Sequence, residues 1–148
     1  MTSFDDFLKH LGTYRHHALL LISKSFAREG MGLEKIQKIA MSLCGISFEV
    51  LKQEDGGFSH HPDLFIADRE RKILRLEEIE PIRERAQFAP VLAKKRLFFI
   101  DRCERMNVNA ANSFLKVLEE PHLDAKVQFV LTTAFAQRVL PTVRSRCF

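Results

Sequence analysis

No apolar run in this 148-residue chain approaches the roughly 20 residues that cross a bilayer, and His16 to Ile22 is far too short. The N-terminus carries Asp5 and Asp6 and lacks a signal-peptide pattern, which argues for the cytoplasm, with no membrane partner. Cysteine is scarce. Three residues at wide, unmatched spacing exclude a disulfide framework and a paired-thiol metal site, and they fit a reducing compartment. Tyrosine occurs once, at Tyr14, and the 13 phenylalanines follow core spacing, so no aromatic platform for stacked bases is evident. No repeat or low-complexity segment appears, and neither sign of charge dominates. A net charge of +4 permits nucleic-acid contact without demanding it. What remains is ordinary: 46% hydrophobic and 28% charged residues, enough for one domain with a real core.

Periodicity divides the chain. Met1 to Thr13 reads as a short amphipathic helix, with Phe4, Phe7, Leu8 and Leu11 on one face. Ala18 to Ile22 is uniformly apolar and reads as a central strand buried on both faces. Ser23 to Gly32 is loop. Leu33 to Leu43 is a helix with Ile36, Ile39, Ala40 and Leu43 inward. Residues 44–62 stay ambiguous, Phe48 to Leu51 extending the helix or not, with a turn at Asp55-Gly56-Gly57. Leu64 to Ala67 is a strand. Leu76 to Phe88 is an amphipathic crossover helix, in which Pro81 is tolerable only near the first turn. Leu97 to Asp101 is a strand ending in an acid. Asn107 caps a helix whose stripe is Ala111, Phe114, Leu115 and Leu118, closed by Glu119-Glu120-Pro121. Val127 to Thr132 is the fourth strand, ending in hydroxyls. Strands alternating with helices mean a parallel sheet covered on both faces.

Strand-acid, helix, strand-hydroxyl, then Leu140-Pro141-Thr142 leading to a displayed Ser145-Arg146-Cys147, is the layout of a phosphate-handling α/β ATPase domain. On those residues the chain resembles the AAA+ domain of bacterial DNA polymerase III clamp-loader subunits, the delta-prime type most of all. The likeness is closest from Leu97 to Cys147, weaker from His60 to Arg85, and thin around residues 23–34. It implies a three-layer P-loop NTPase-type α/β domain over residues 1–148. The lid and helical collar that follow in that family lie outside these residues.

The resemblance also assigns roles. A phosphate loop should follow Ala18–Ile22, with lysine and then Ser or Thr after its second glycine. Here Gly30-Met31-Gly32 is followed by Leu33, which offers no donor, and by Glu34, which repels phosphate. Lys24 and Lys35 have no spacing that replaces the missing lysine. No cofactor is therefore expected. Asp101 matches the family's magnesium-holding carboxylate, but the water-polarising glutamate is replaced by Arg102, which cannot accept a proton. Glu104 is a weak substitute. Thr132 and Thr133 match the position that senses γ-phosphate, and without one they are left to satisfy strand-end backbone. Arg146 matches the finger that enters the ATP site of an adjacent subunit, where comparable arginines are worth about 10³ to 10⁵ in rate.

Four-cysteine zinc modules occur in relatives. Of such a set only Cys44 stands in the corresponding window, with His60, His61 and Asp63 near it. His61-Pro62-Asp63 matches a structural lead-in to the strand, and zinc is rejected. Cys103 and Cys147 read as packing residues. Lys94, Lys95, Arg96, Arg102, Arg105 and Lys116 are candidates for contact with DNA phosphates. The expected role is thus a non-catalytic clamp-loader subunit. Its implied partners are gamma/tau and delta subunits, the sliding clamp and primer-template DNA. A gamma/tau-like ATP-hydrolysing motor and a stand-alone DNA-binding module are the alternatives.

Overall fold

The computed structural model describes residues 4–11, 16–46, 57–58, 61–119 and 126–148. Five strands, β1 (Ala18–Ile22), β2 (Gly57–Phe58), β3 (Leu64–Ile66), β4 (Arg96–Ile100) and β5 (Val127–Thr133), form one sheet in the order β1-β5-β4-β3-β2. All pairings are parallel except the two-residue β2–β3 ladder. The helices are α1 (Phe4–Leu11), α2 (Leu33–Cys44), α3 (Leu76–Arg85), α4 (Val108–Glu119) and α5 (Pro141–Arg144). The readings at Phe48 to Leu51, Asp55-Gly56, His60 and Pro121 fall outside the described residues.

Side chains of a strand alternate between faces, and β4 makes the layering explicit. Leu97 and Phe99 join Leu19, Leu64, Ile66 and Val130 under α1 and α2. Phe98 and Ile100 join Ala18, Phe65, Phe129 and Leu131 under α3, α4 and α5. Phe129 stacks on Phe98 at 5.4 Å and meets Phe114 of α4 edge-on at 5.5 Å. Two apolar layers on one sheet require both strand faces to be hydrophobic, hence the uniform apolar runs. Asn107 does cap α4: its side-chain oxygen accepts the Ala110 N–H at 2.8 Å.

Among the described strands β1 pairs with β5, and its other edge takes the backbone of Phe148, whose N–H donates to the Ala18 carbonyl and whose carbonyl accepts the Leu20 N–H, each at 2.9 Å. Ala18 and Leu19 are buried, while Ile22 at the strand end is 59% exposed. One expectation needs correction. Pro81 lies beyond the first turn, as the sixth residue of α3. The helix therefore forgoes one backbone bond there and is held by its buried Ile79 and Ile82.

Candidate functional site

In a parallel α/β sheet, ligands bind beyond the carboxyl ends of the strands. Here that edge collects Asp101 from β4, Thr132 and Thr133 from β5, and the loop after β1. Asp101 is fully buried. Its carboxylate accepts the Met31 N–H at 3.0 and 3.1 Å, the Thr132 hydroxyl at 2.5 Å, and Arg69 Nε at 3.4 Å. Gly30 sits against it with φ +73°, and a Cβ there would lie 2.0 Å from Asp101 Oδ2. The close approach of loop to carboxylate is what requires glycine at this position. Gly32 is different: its surroundings are open, and it serves as the N-cap of α2.

Three guanidinium groups fill the rest of this edge. Arg69 donates to the carbonyls of Glu29 (3.4 Å) and Met31 (2.5 Å). Arg102, held at φ +50°, donates to the carbonyls of Arg28 (2.8 Å) and Arg69 (2.5 Å). Arg105 donates to those of Asp68, Arg71, Asp101 and Arg102. Burial, and after it the neighbouring Arg102, oppose the charge on Arg105, but its donors are spent on carbonyl oxygens. Segments 28–31, 68–71 and 101–102 are thus riveted together by fixed positive groups.

The hydroxyls are equally committed. Thr132 accepts the Arg102 N–H at 2.8 Å, while Thr133 donates to Glu104 at 3.2 Å and accepts the Phe135 N–H at 3.0 Å. Leu33 is half-buried and Glu34 exposed. A cleft of about 420 Å³ beside the loop is lined by Phe26, Met31, Leu33, Glu34 and Lys35 among others. The Asp101 carboxylate is thus engaged by the loop, a hydroxyl and a guanidinium, the Met31 N–H points at that carboxylate, and Glu34 adds a negative charge to the lining of the cleft.

Arg146 lies elsewhere, on a turn after α5. Pro141 opens that helix and Val143 anchors it in the core. The turn is closed by Arg146 N–H to Val143 carbonyl at 3.1 Å and Cys147 N–H to Arg144 carbonyl at 3.2 Å. The Arg146 guanidinium meets Glu119 at 2.5 Å and the Thr142 carbonyl at 2.9 Å, and its side chain is 37% exposed.

Of the basic candidates for DNA, Arg96, Arg102 and Arg105 are engaged inside the fold. Arg96 meets Asp63 at 3.4 Å with its side chain 8% exposed. Lys94 and Lys116 are exposed and Lys95 is half-buried. Asp63 also accepts the N–H groups of Val91, Leu92 and Ala93, each at 2.7 Å, which commits it to structure. Burial pushes the Cys44 thiol up to about 12 and the Cys147 thiol to about 11. The Cys103 thiol is raised for the same reason. Among the described residues no cluster of His, Cys, Asp or Glu could hold a metal ion, and no helix is long and apolar enough to cross a membrane.

Sequence reasoning missed Arg69 and Glu119. Arg69 sits in the run Asp68-Arg69-Glu70-Arg71-Lys72, which looks like a solvated stretch, and Glu119 looks like ordinary helix closure.

Comparison with known proteins is consistent across three lines. A family model described as DNA polymerase III, delta subunit, matches residues 15–148. DNA polymerase III subunit delta' of Bacillus subtilis is 33% identical over 136 residues, 92% of this chain and 37% of that protein. The delta' subunit of Pseudomonas aeruginosa is 35% identical over 89 residues, 59% of this chain and 26% of its own length. The chain therefore spans well under half of the relatives it matches. A DNA polymerase III gamma subunit-related protein of Thermotoga maritima superposes with a TM-score of 0.72 at 22% identity, covering 98% of this chain and 44% of that one. At that identity the likeness speaks for the fold. The chain belongs to the DNA polymerase III delta-prime family and carries the α/β AAA+ fold of clamp-loader N-terminal domains.

Proposed function

We propose that this domain is a non-hydrolysing AAA+ part of the DNA polymerase III clamp loader that lends Arg146 to the ATP of an adjacent subunit. The observation that carries this reading is the state of the strand edge. Arg69, Arg102 and Arg105 fill it, and Asp101 and the loop N–H satisfy each other there. A domain built this way has no free machinery for its own triphosphate, while a guanidinium on its surface remains accessible.

In this reading the ATP-bearing neighbour is a gamma/tau-type subunit, and delta completes the assembly. Loading the sliding clamp onto primer-template DNA in the cytoplasm is the activity of the whole. Exposed Lys94 and Lys116, with Lys95 between β4 and solvent, supply non-specific contact to DNA phosphates.

The test reconstitutes the full-length subunit with its cognate motor subunits, clamp and primed DNA. Arg146→Ala should slow ATP turnover toward the rate without the finger, comparable fingers being worth about 10³ to 10⁵. Unchanged turnover overturns the reading. The subunit alone should show no thermal shift with ATP. A ligand at 100 times its Kd would add about 2.7 kcal/mol of stability, and such a shift would favour the motor instead.

A further inference from the structure

Glu119 is the last residue of α4, where the helix already presents the negative end of its dipole. An acid there is electrostatically misplaced unless a cation answers it. Arg146 supplies that cation from 27 residues further along the chain, its Nη2 at 2.5 Å from Glu119 Oε1. The same helix end draws a second donor, since His17 Nε2 lies 3.1 Å from the Leu118 carbonyl.

We infer that Glu119 is a positioning residue for Arg146: a resting counter-anion that holds the guanidinium on the end of α4 and competes for it with a triphosphate. This rests on the reading of Arg146 as a finger. The guanidinium fork matches carboxylate and phosphate oxygens alike, so the donors held by Glu119 are the ones a phosphate would engage. The pair is also built to exchange. Its side chains are 37% and 46% exposed, where ion pairs are weak. The backbone of the turn does not need to move. Arg146 and Cys147 are tied back to Val143 and Arg144, and Phe148 is hydrogen-bonded to Ala18 and Leu20 of β1. Only the side chain swings, leaving Glu119, the Thr142 carbonyl and Ser145 Oγ.

The experiment assembles full-length subunits carrying Glu119→Gln, Glu119→Asp or Arg146→Ala with the cognate motor subunits. Two quantities are read: half-saturation by a fluorescent, non-hydrolysable ATP analogue, and the KM and kcat of ATP turnover. Glu119→Gln should lower half-saturation and KM about two- to five-fold with kcat within about twofold, the size expected for losing one exposed ionic competitor. Glu119→Asp keeps the carboxylate and should behave like wild type. If Arg146→Ala slows turnover but Glu119→Gln leaves half-saturation unchanged or raises it, the counter-anion role falls and the finger stands. If Arg146→Ala has no effect, the finger reading itself falls.

Discussion

Arg69 and Asp101 meet at 3.4 Å with the carboxylate fully buried, whereas Arg146 and Glu119 meet at 2.5 Å with both side chains in partial contact with water. The shorter pair is the weaker one. Water and counterions can replace either partner of Arg146–Glu119, so its net contribution is small whatever its length. Removing Asp101 leaves the Met31 N–H and the Thr132 hydroxyl without their acceptor in a medium that cannot hydrate them, and removing Arg69 takes a cation from a fully buried carboxylate. One region buries its carboxylate against the arginine; the other leaves both partners in contact with water.

Mutation can break this contrast in order of effect. Asp101→Ala should cost about 3–5 kcal/mol of unfolding free energy, measured by denaturant titration, because a buried charge and a loop lose their anchor. A loss below about 1 kcal/mol would mean the loop is not held by this carboxylate.

Asp63 extends the comparison to a second buried pair. Burial alone raises its carboxyl pKa, but the N–H groups of Ala93, Val91 and Leu92, and then Arg96, more than offset this and hold it below the usual carboxylate range. A carboxylate depressed on folding adds stability that is complete above its unfolded pKa and is lost as pH falls through the folded value. The stability difference between wild type and Asp63→Asn should therefore be constant near neutrality and shrink below about pH 4. A difference independent of pH would show that the charge on Asp63 contributes nothing. The smallest effect belongs to the exposed pair. A double-mutant cycle on Arg146→Ala and Glu119→Ala should give a coupling of about 0.2–1 kcal/mol, decreasing with added salt.

Much of the fold was legible because its signals are local. Uniform apolar runs announced Leu64–Ile66, Arg96–Ile100 and Val127–Thr133, and Asn107 announced the start of α4. The order of the strands was not, since the pairing of β1 with β5 joins segments more than a hundred residues apart. At the candidate site, that Leu33 and Glu34 stand where a lysine and a hydroxyl would follow Gly32 is plain from the sequence alone. Arg69 could not be found, because its partners Glu29, Met31 and Asp101 are brought to it by crossover connections. Arg105 looked like a surface cation and turned out to be held by four backbone carbonyls.

The amino-acid order by itself determined the alternation of strands and helices, the two-faced core and the absence of a lysine–hydroxyl pair after Gly32. Those properties depend on side-chain period and on the chemistry of adjacent residues, which a linear reading preserves. Tertiary structure alone decided which arginine is sunk against a carboxylate and which rests on one in water. That outcome depends on the dielectric around each pair, and the dielectric exists only after distant segments have packed.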